Sequence, residues 1–245
     1  MFRLFGGILM VKMYRLFFVF ILVSLLGASW PFSFLFPSSN TELFGSSAWI
    51  QKQIQILRSQ ASNIDVSVLR ISLIAYVNAK KAGVTISKPL LTVIDYSKPS
   101  VEKRLWVFDL KNGKALFNTW VSHGKNSGGL TASSFSNSPG SLKSSIGVFI
   151  TDEPYVGGKG YSLRLRGIEQ GINDNAYRRD IVVHGAWYVG SDLVKSRGQI
   201  GRSWGCPAVS TDLAKPLIDT IKEDTVLVAY YPDRNWLSHS RFLTA

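Results

Sequence analysis

Between residues 90 and 232 the chain is written in short apolar runs, each ended by turn residues. The runs fall at 90–96, 104–110, 115–122, 147–151, 161–166, 180–183 and 226–231. Runs of this length suit strands and are too short for ordinary core helices. Lys111-Asn112-Gly113 joins two of them, and an Asn-Gly pair supplies the positive φ that a tight hairpin requires. A single helical stretch is expected in this half, at 211–221, with Thr211 as its N-cap. The segment is therefore expected to be mainly β, a sandwich or open barrel with one short helix. A long Ser/Gly stretch at 127–145 interrupts the strands, and ordered loops of that length commonly carry function.

Ahead of the strands the period changes. Ile50, Ile54 and Leu57 recur at helical spacing within 48–61. Val68, Ile71, Leu73, Ile74 and Val77 do so within 65–82, before Lys80, Lys81 and the helix-stopping Gly83. Residues 48–87 are expected to form an N-terminal helical segment packed on the β domain. Residues 30–47, rich in Pro, Ser and Phe, read as a linker. In residues 1–29, Arg3, Lys12 and Arg15 precede an apolar run at 16–26, and small residues follow. That is the layout of an export signal, and an uncleaved membrane anchor is the alternative. The expected layout is thus a leader (1–29), a linker (30–47), helices (48–87), a catalytic-sized domain (88–232) and a polar tail (233–245). Export would place the domain in the periplasm or cell envelope, with membrane association through the N-terminal segment left open.

The formal charge is +12 and is spread along the chain. Such a surface suits nucleic acid, an anionic membrane face or an acidic polymer. No zinc-knuckle spacing, basic helix or aromatic RNA-binding motif is present, so no nucleic-acid partner is expected. Cys206 is the only cysteine. It cannot make an internal disulfide, and in an exported chain it is an intermolecular link, an inert buried thiol or a reactive one.

Cys206 lies in GRSWGCPAVS at 201–210. Gly205 lets the backbone turn tightly beside it, and backbone N–H groups at such a turn can hold an oxyanion. Arg202 is near enough to favour a thiolate or hold a carboxylate, and Ser203 adds a donor. His184 ends the apolar run at 181–183, with Gly185 leaving room around it. An imidazole is the usual base for a catalytic thiol, although for a histidine taken alone a satisfied core position is the commoner case. His123 also precedes a glycine and is a candidate for the same cleft, whereas His239 sits in the polar tail. His123, His184 and Cys206 lack close ligand spacing, so no metal is expected. Asp152, Glu153, Asp174 and Asp180 form no acid–base pair for glycoside cleavage.

Two elements in order, His184-Gly185-Ala186 and Ser203-Trp204-Gly205-Cys206, resemble the signature of the L,D-transpeptidases, the YkuD-like catalytic domain. The wider text, from 88 to 231, resembles a divergent murein branch of that family. It includes SHGKNSG at 122–128, FSN at 135–137, GYSLRLRG at 160–167 and Asn173-Asp174. The resemblance implies a mostly β sandwich with the cysteine in a cleft and no metal or organic cofactor. It implies that Cys206 attacks a carbonyl of a peptidoglycan stem peptide and that His184 takes the proton. The Gly185 carbonyl would hold the imidazole, and N–H groups at Gly205 and Cys206 would face the oxyanion. Arg202, Ser203, Trp204, His123 and Tyr188 are the expected substrate-binding residues. Trp204 stands where the family usually has histidine, and Pro207-Ala208 replace a usual Arg or Asn. Transfer to an amine, hydrolysis by an L,D-carboxypeptidase and a silent murein-binding module therefore stay open.

Overall fold

The computed structural model describes residues 43–244. The expected leader, and the linker up to residue 42, lie outside the described residues. Helix α1 (Ser47–Gln60) starts where the Ser46 side chain accepts the Trp49 N–H. Helix α2 (Val66–Lys81) starts where Asp65 accepts the N–H groups of Ser67 and Val68. Both caps satisfy amides that a helix start leaves without partners. Ile50, Ile54 and Leu57 of α1 are buried as their spacing predicts. On α2 the buried set includes Val68, Leu73 and Val77, but Ile71 and Ile74 are only partly covered. Leu69 and Tyr76 are buried instead, because α2 packs against α1 and the sheet together.

Eight strands follow: β1 (Leu90–Asp95), β2 (Leu105–Asp109), β3 (Lys114–Thr119), β4 (Gly147–Gly157), β5 (Gly160–Gly167), β6 (Val182–Ala186), β7 (Ala208–Ser210) and β8 (Val226–Tyr230). They hydrogen-bond as one sheet in the order β3-β2-β1-β8-β4-β5-β6-β7. The fold is mainly β. Every residue of β1 and β8 is buried, as expected for strands covered on both faces. β8 pairs parallel with β1 and antiparallel with β4, so the last strand in sequence lies mid-sheet.

The β2–β3 turn contains the expected Asn112-Gly113, with Gly113 at φ 62°. A side chain at Gly113 would lie 2.6 Å from Ile56 of α1. Gln60 donates to the Gly113 carbonyl and accepts the Ala115 N–H, which fastens α1 to the hairpin. β4 runs further than the expected 147–151. Its register against β5 slips between Thr151 and Pro154, where proline lacks an N–H, and then resumes. β6 also extends past the expected end at residue 183, so His184 lies within the strand.

Three further helices are α3 (Ser191–Arg197), α4 (Thr211–Ile221) and α5 (Arg234–His239). α4 is the expected helix, but Ser210, not Thr211, is its cap residue, and it makes no side-chain cap bond. The cause is that β7 runs directly into the helix. Residues 233–245, read from sequence as a polar tail, carry α5. Its Trp236 is fully buried and donates its indole N–H to Glu169 at 3.0 Å. Among the described residues no helix is long and apolar enough to cross a membrane.

The serine-rich stretch is held by hydroxyls rather than by ladders. Ser127 Oγ accepts the Ser144 N–H, and Ser144 Oγ accepts the Gly124 N–H while donating to the Gly205 carbonyl. Side chains thus supply the backbone partners that a long loop lacks.

Candidate active site

The parallel β6–β7 pair sets His184 opposite Ala208, and Cys206 lies two residues before that register point. His184 and Cys206 both line a cavity of about 600 Å³. His184 is 2% exposed, and its Nδ1 donates to the Gly185 carbonyl at 2.9 Å. That bond fixes the neutral ring's lone pair on Nε2. Gly185 must be small for another reason: a side chain there would lie 3.0 Å from Ala214 and 3.2 Å from Thr211 on α4.

The Cys206 thiol donates to the Asp180 carbonyl at 3.4 Å. Burial pushes the thiol above its ordinary value, while the Val182 N–H, Lys159 and Arg179 favour the thiolate. Burial also pushes His184 below its ordinary value. The resting pair is therefore thiol and neutral imidazole, each opposed to charging by the same dry surroundings.

Ser203 shapes the nucleophile's loop. Its hydroxyl accepts the Gly205 N–H at 3.1 Å and donates to the Cys206 carbonyl at 2.6 Å. The Gly205 N–H, expected to face an oxyanion, is thereby taken up inside the loop. Gly205 itself has φ 126°, and a side chain there would lie 2.8 Å from the Lys143 carbonyl. Tyr188 lines the same cavity, and burial, followed by the charge of Cys206, pushes its pKa up to about 12. It stays protonated and able to donate. A side chain at Gly201 would lie 2.6 Å from Tyr188 Cβ, so that glycine makes room for the tyrosine.

Arg202 lines the cavity and donates to the Lys125 and Gly128 carbonyls. Trp204 is 69% exposed at the rim, with Lys125 and Lys159 over its ring at 5.8 and 5.4 Å. His123 requires correction: it does not line the cavity but is fully buried behind it. The strand-like run toward His123 carries the ring inward, where Arg104 donates to its Nδ1 at 2.7 Å. Its backbone carbonyl accepts the Ser203 N–H at 2.9 Å, so its link to the site is through the loop.

Several cavity residues carried no signal in the sequence reading. Lys159 comes from the β4–β5 turn, Arg164 from β5, and Arg179 precedes β6. Arg164 sits over the rings of Tyr155 and Tyr177 at 4.3 and 5.3 Å and lies 3.6 Å from Asp180. Arg179 donates to the carbonyls of Ser136 and Lys143 and so ties the serine-rich loop to the cavity wall. With Arg202 these make four cations against one carboxylate, Asp180. Alternation could have exposed Arg164, since Leu163 and Leu165 on either side are buried. Among the described residues no group of three or more His, Cys, Asp or Glu side chains could hold a metal ion.

A sequence model of the L,D-transpeptidase catalytic domain matches residues 60–230. The chain belongs to that family. Solved structures similar to this L,D-transpeptidase domain include an L,D-transpeptidase from Mycobacterium tuberculosis H37Rv, at 12% identity and TM-score 0.39, covering 58% of each chain. One from Mycobacterium smegmatis matches at 16% identity and TM-score 0.37, covering 58% of this chain and 59% of its own. One from Stackebrandtia nassauensis matches at 13% identity and TM-score 0.34, covering 74% of this chain and 77% of its own. The chain spans less than two thirds of the length of the two mycobacterial structures. No curated protein matches the sequence.

Proposed function

We propose that the protein is an exported, cysteine-dependent L,D-transpeptidase that acts on peptidoglycan stem peptides in the periplasm or cell envelope. The observation that carries this reading is one cavity holding both the Cys206 thiol and a His184 ring whose Nδ1 is committed to Gly185. The cationic lining supports it, because stem peptides carry free carboxylates that such a lining attracts.

Cys206 Sγ attacks the carbonyl after the third residue of the donor stem, and His184 Nε2 takes the thiol proton. A C–S bond forms and the carbonyl becomes an oxyanion. In this reading the Cys206 N–H and the Tyr188 hydroxyl serve as its donors, since the Gly205 N–H is occupied. Collapse breaks the C–N bond, and the imidazolium gives its proton to the departing amine. A side-chain amine of a second stem then attacks the thioester. His184 takes that proton and returns it to the thiolate as the new amide forms.

The test is mass spectrometry of products from the purified full chain incubated with disaccharide-tetrapeptide. Crosslinked dimers from wild type, with neither dimer nor acyl-enzyme from Cys206→Ala, support transfer. Tripeptide products without dimers would replace transfer by hydrolysis at the same thiol. Equal activity in Cys206→Ala would end the cysteine reading.

A further inference from the structure

A second cavity adjoins the catalytic one, and a third adjoins the second. The second, about 350 Å³, shares Tyr188 and Arg202 with it and adds Lys125 and Arg197. The third, about 400 Å³, shares Leu193 with the second. Its chemistry differs from the other two. Trp120, Trp187, Ser191, Asp192, Thr211 and Asp212 line it, and no lysine or arginine does. Lys103 stacks on Trp120 at 5.1 Å without lining the space.

The two indoles play different parts. Trp120 is fixed: its N–H donates to the Val101 carbonyl at 2.8 Å, and its ring packs on the small cluster of Ala186, Val189, Ile200 and Ala208. Trp187 is 77% exposed and stands edge-on to Tyr188 at 5.9 Å. Its ring lines the third cavity and is open to a ligand that enters it. Asp192 and Asp212 would repel an anionic ligand, which the first two cavities favour. The carboxylates and hydroxyls equally disfavour a purely apolar one. A neutral ring system with apolar C–H faces and many hydroxyl and amide donors satisfies both sets of groups.

We propose that the third cavity is a glycan subsite for the N-acetylated sugar strand that bears the stem peptide. Trp187 stacks on a sugar face, and Asp192 and Asp212 accept from its hydroxyl and amide groups. The inference rests on the reading of stem peptides as substrate, because the sugar strand carries those peptides.

The full chain is titrated with a tetramer of β-1,4-linked N-acetylglucosamine while indole N–H resonances are followed by NMR. Saturable binding is expected, weakened about fivefold to tenfold by Trp187→Ala and similarly by joint Asp192→Asn and Asp212→Asn. In turnover, Trp187→Ala should raise KM for glycan-borne stems and leave KM for a sugar-free tetrapeptide unchanged. No binding by wild type, or equal binding by Trp187→Ala, overturns the subsite. The titration needs no catalysis, so absence of turnover on both substrates would count against the transpeptidase reading and leave the titration to decide the subsite.

Discussion

His184 donates through Nδ1 to the carbonyl of Gly185, its own neighbour on β6, at 2.9 Å. No carboxylate takes part, so the ring is oriented by a dipole rather than by a charge. Such a partner fixes the tautomer while leaving burial free to hold the ring neutral.

The pH profile of the reaction follows from this. The base works only when neutral, and its titration lies below the ordinary histidine value of 6.5. The thiol titrates above its ordinary 9.0. kcat/KM is expected to rise through an acid limb below 6.5 and then hold level across neutral pH. His184→Asn should lose that limb and about 10²–10⁴ in rate. A wild-type rate that still climbed between pH 7 and 8 would point to a thiolate nucleophile formed before attack.

Tyr188→Phe tests the oxyanion assignment. Loss of one donor there should lower kcat by about 10²-fold with little change in KM. Gly201→Ala should fall in the same direction, because its new methyl group would meet Tyr188. Steady-state kinetics of both variants check this, and a Tyr188→Phe enzyme with full kcat would remove the tyrosine from the step.

Ser203→Ala strips two bonds from the nucleophile's loop, one from the Gly205 N–H and one to the Cys206 carbonyl. Both ends are buried or partly so, and the expected loss is about 1–3 kcal/mol in urea unfolding. A variant with unchanged stability would mean that the loop keeps its shape by other bonds.

His123 makes stability depend on pH. Burial and then the Arg104 guanidinium push its pKa down to about 4, from 6.5. A histidine depressed on folding contributes stability that is full above 6.5 and is lost as pH falls toward 4, amounting to about 3 kcal/mol. Glu169 and Asp95, both raised by burial, act in the opposite sense as pH falls. Comparing urea unfolding of wild type and His123→Gln across pH 4–7 separates the two. The variant should lose less stability on acidification, and parallel curves would refute the assignment.

What the sequence made legible was local. Short strands, the Asn-Gly turn, two amphipathic helices and the His184 and Cys206 motifs each announce themselves within a few residues. Arg164, Arg179 and Lys159 do not, because their meeting depends on the β4–β5 turn and the pairing of β5 with β6. His123 misled for the same reason: a His-Gly pair looks alike whether the ring turns outward or, as here, toward a buried arginine. Trp236 was read as tail because its partner, Glu169, lies 67 residues away.

The position of β8 has a consequence for how the chain is made. The segment from β1 to β3 and the segment from β4 to β7 have no ladder between them except through β8. Until residues 226–230 arrive, a nascent chain carries two open sheet edges and cannot complete its core. Chains cut before Val226 should therefore show no cooperative unfolding and exchange their strand amides rapidly, while restoring residues to the C-terminus recovers both. Closure of the sheet therefore waits on its central strand, and the seven strands made before it have to stay unpaired across that gap until it arrives.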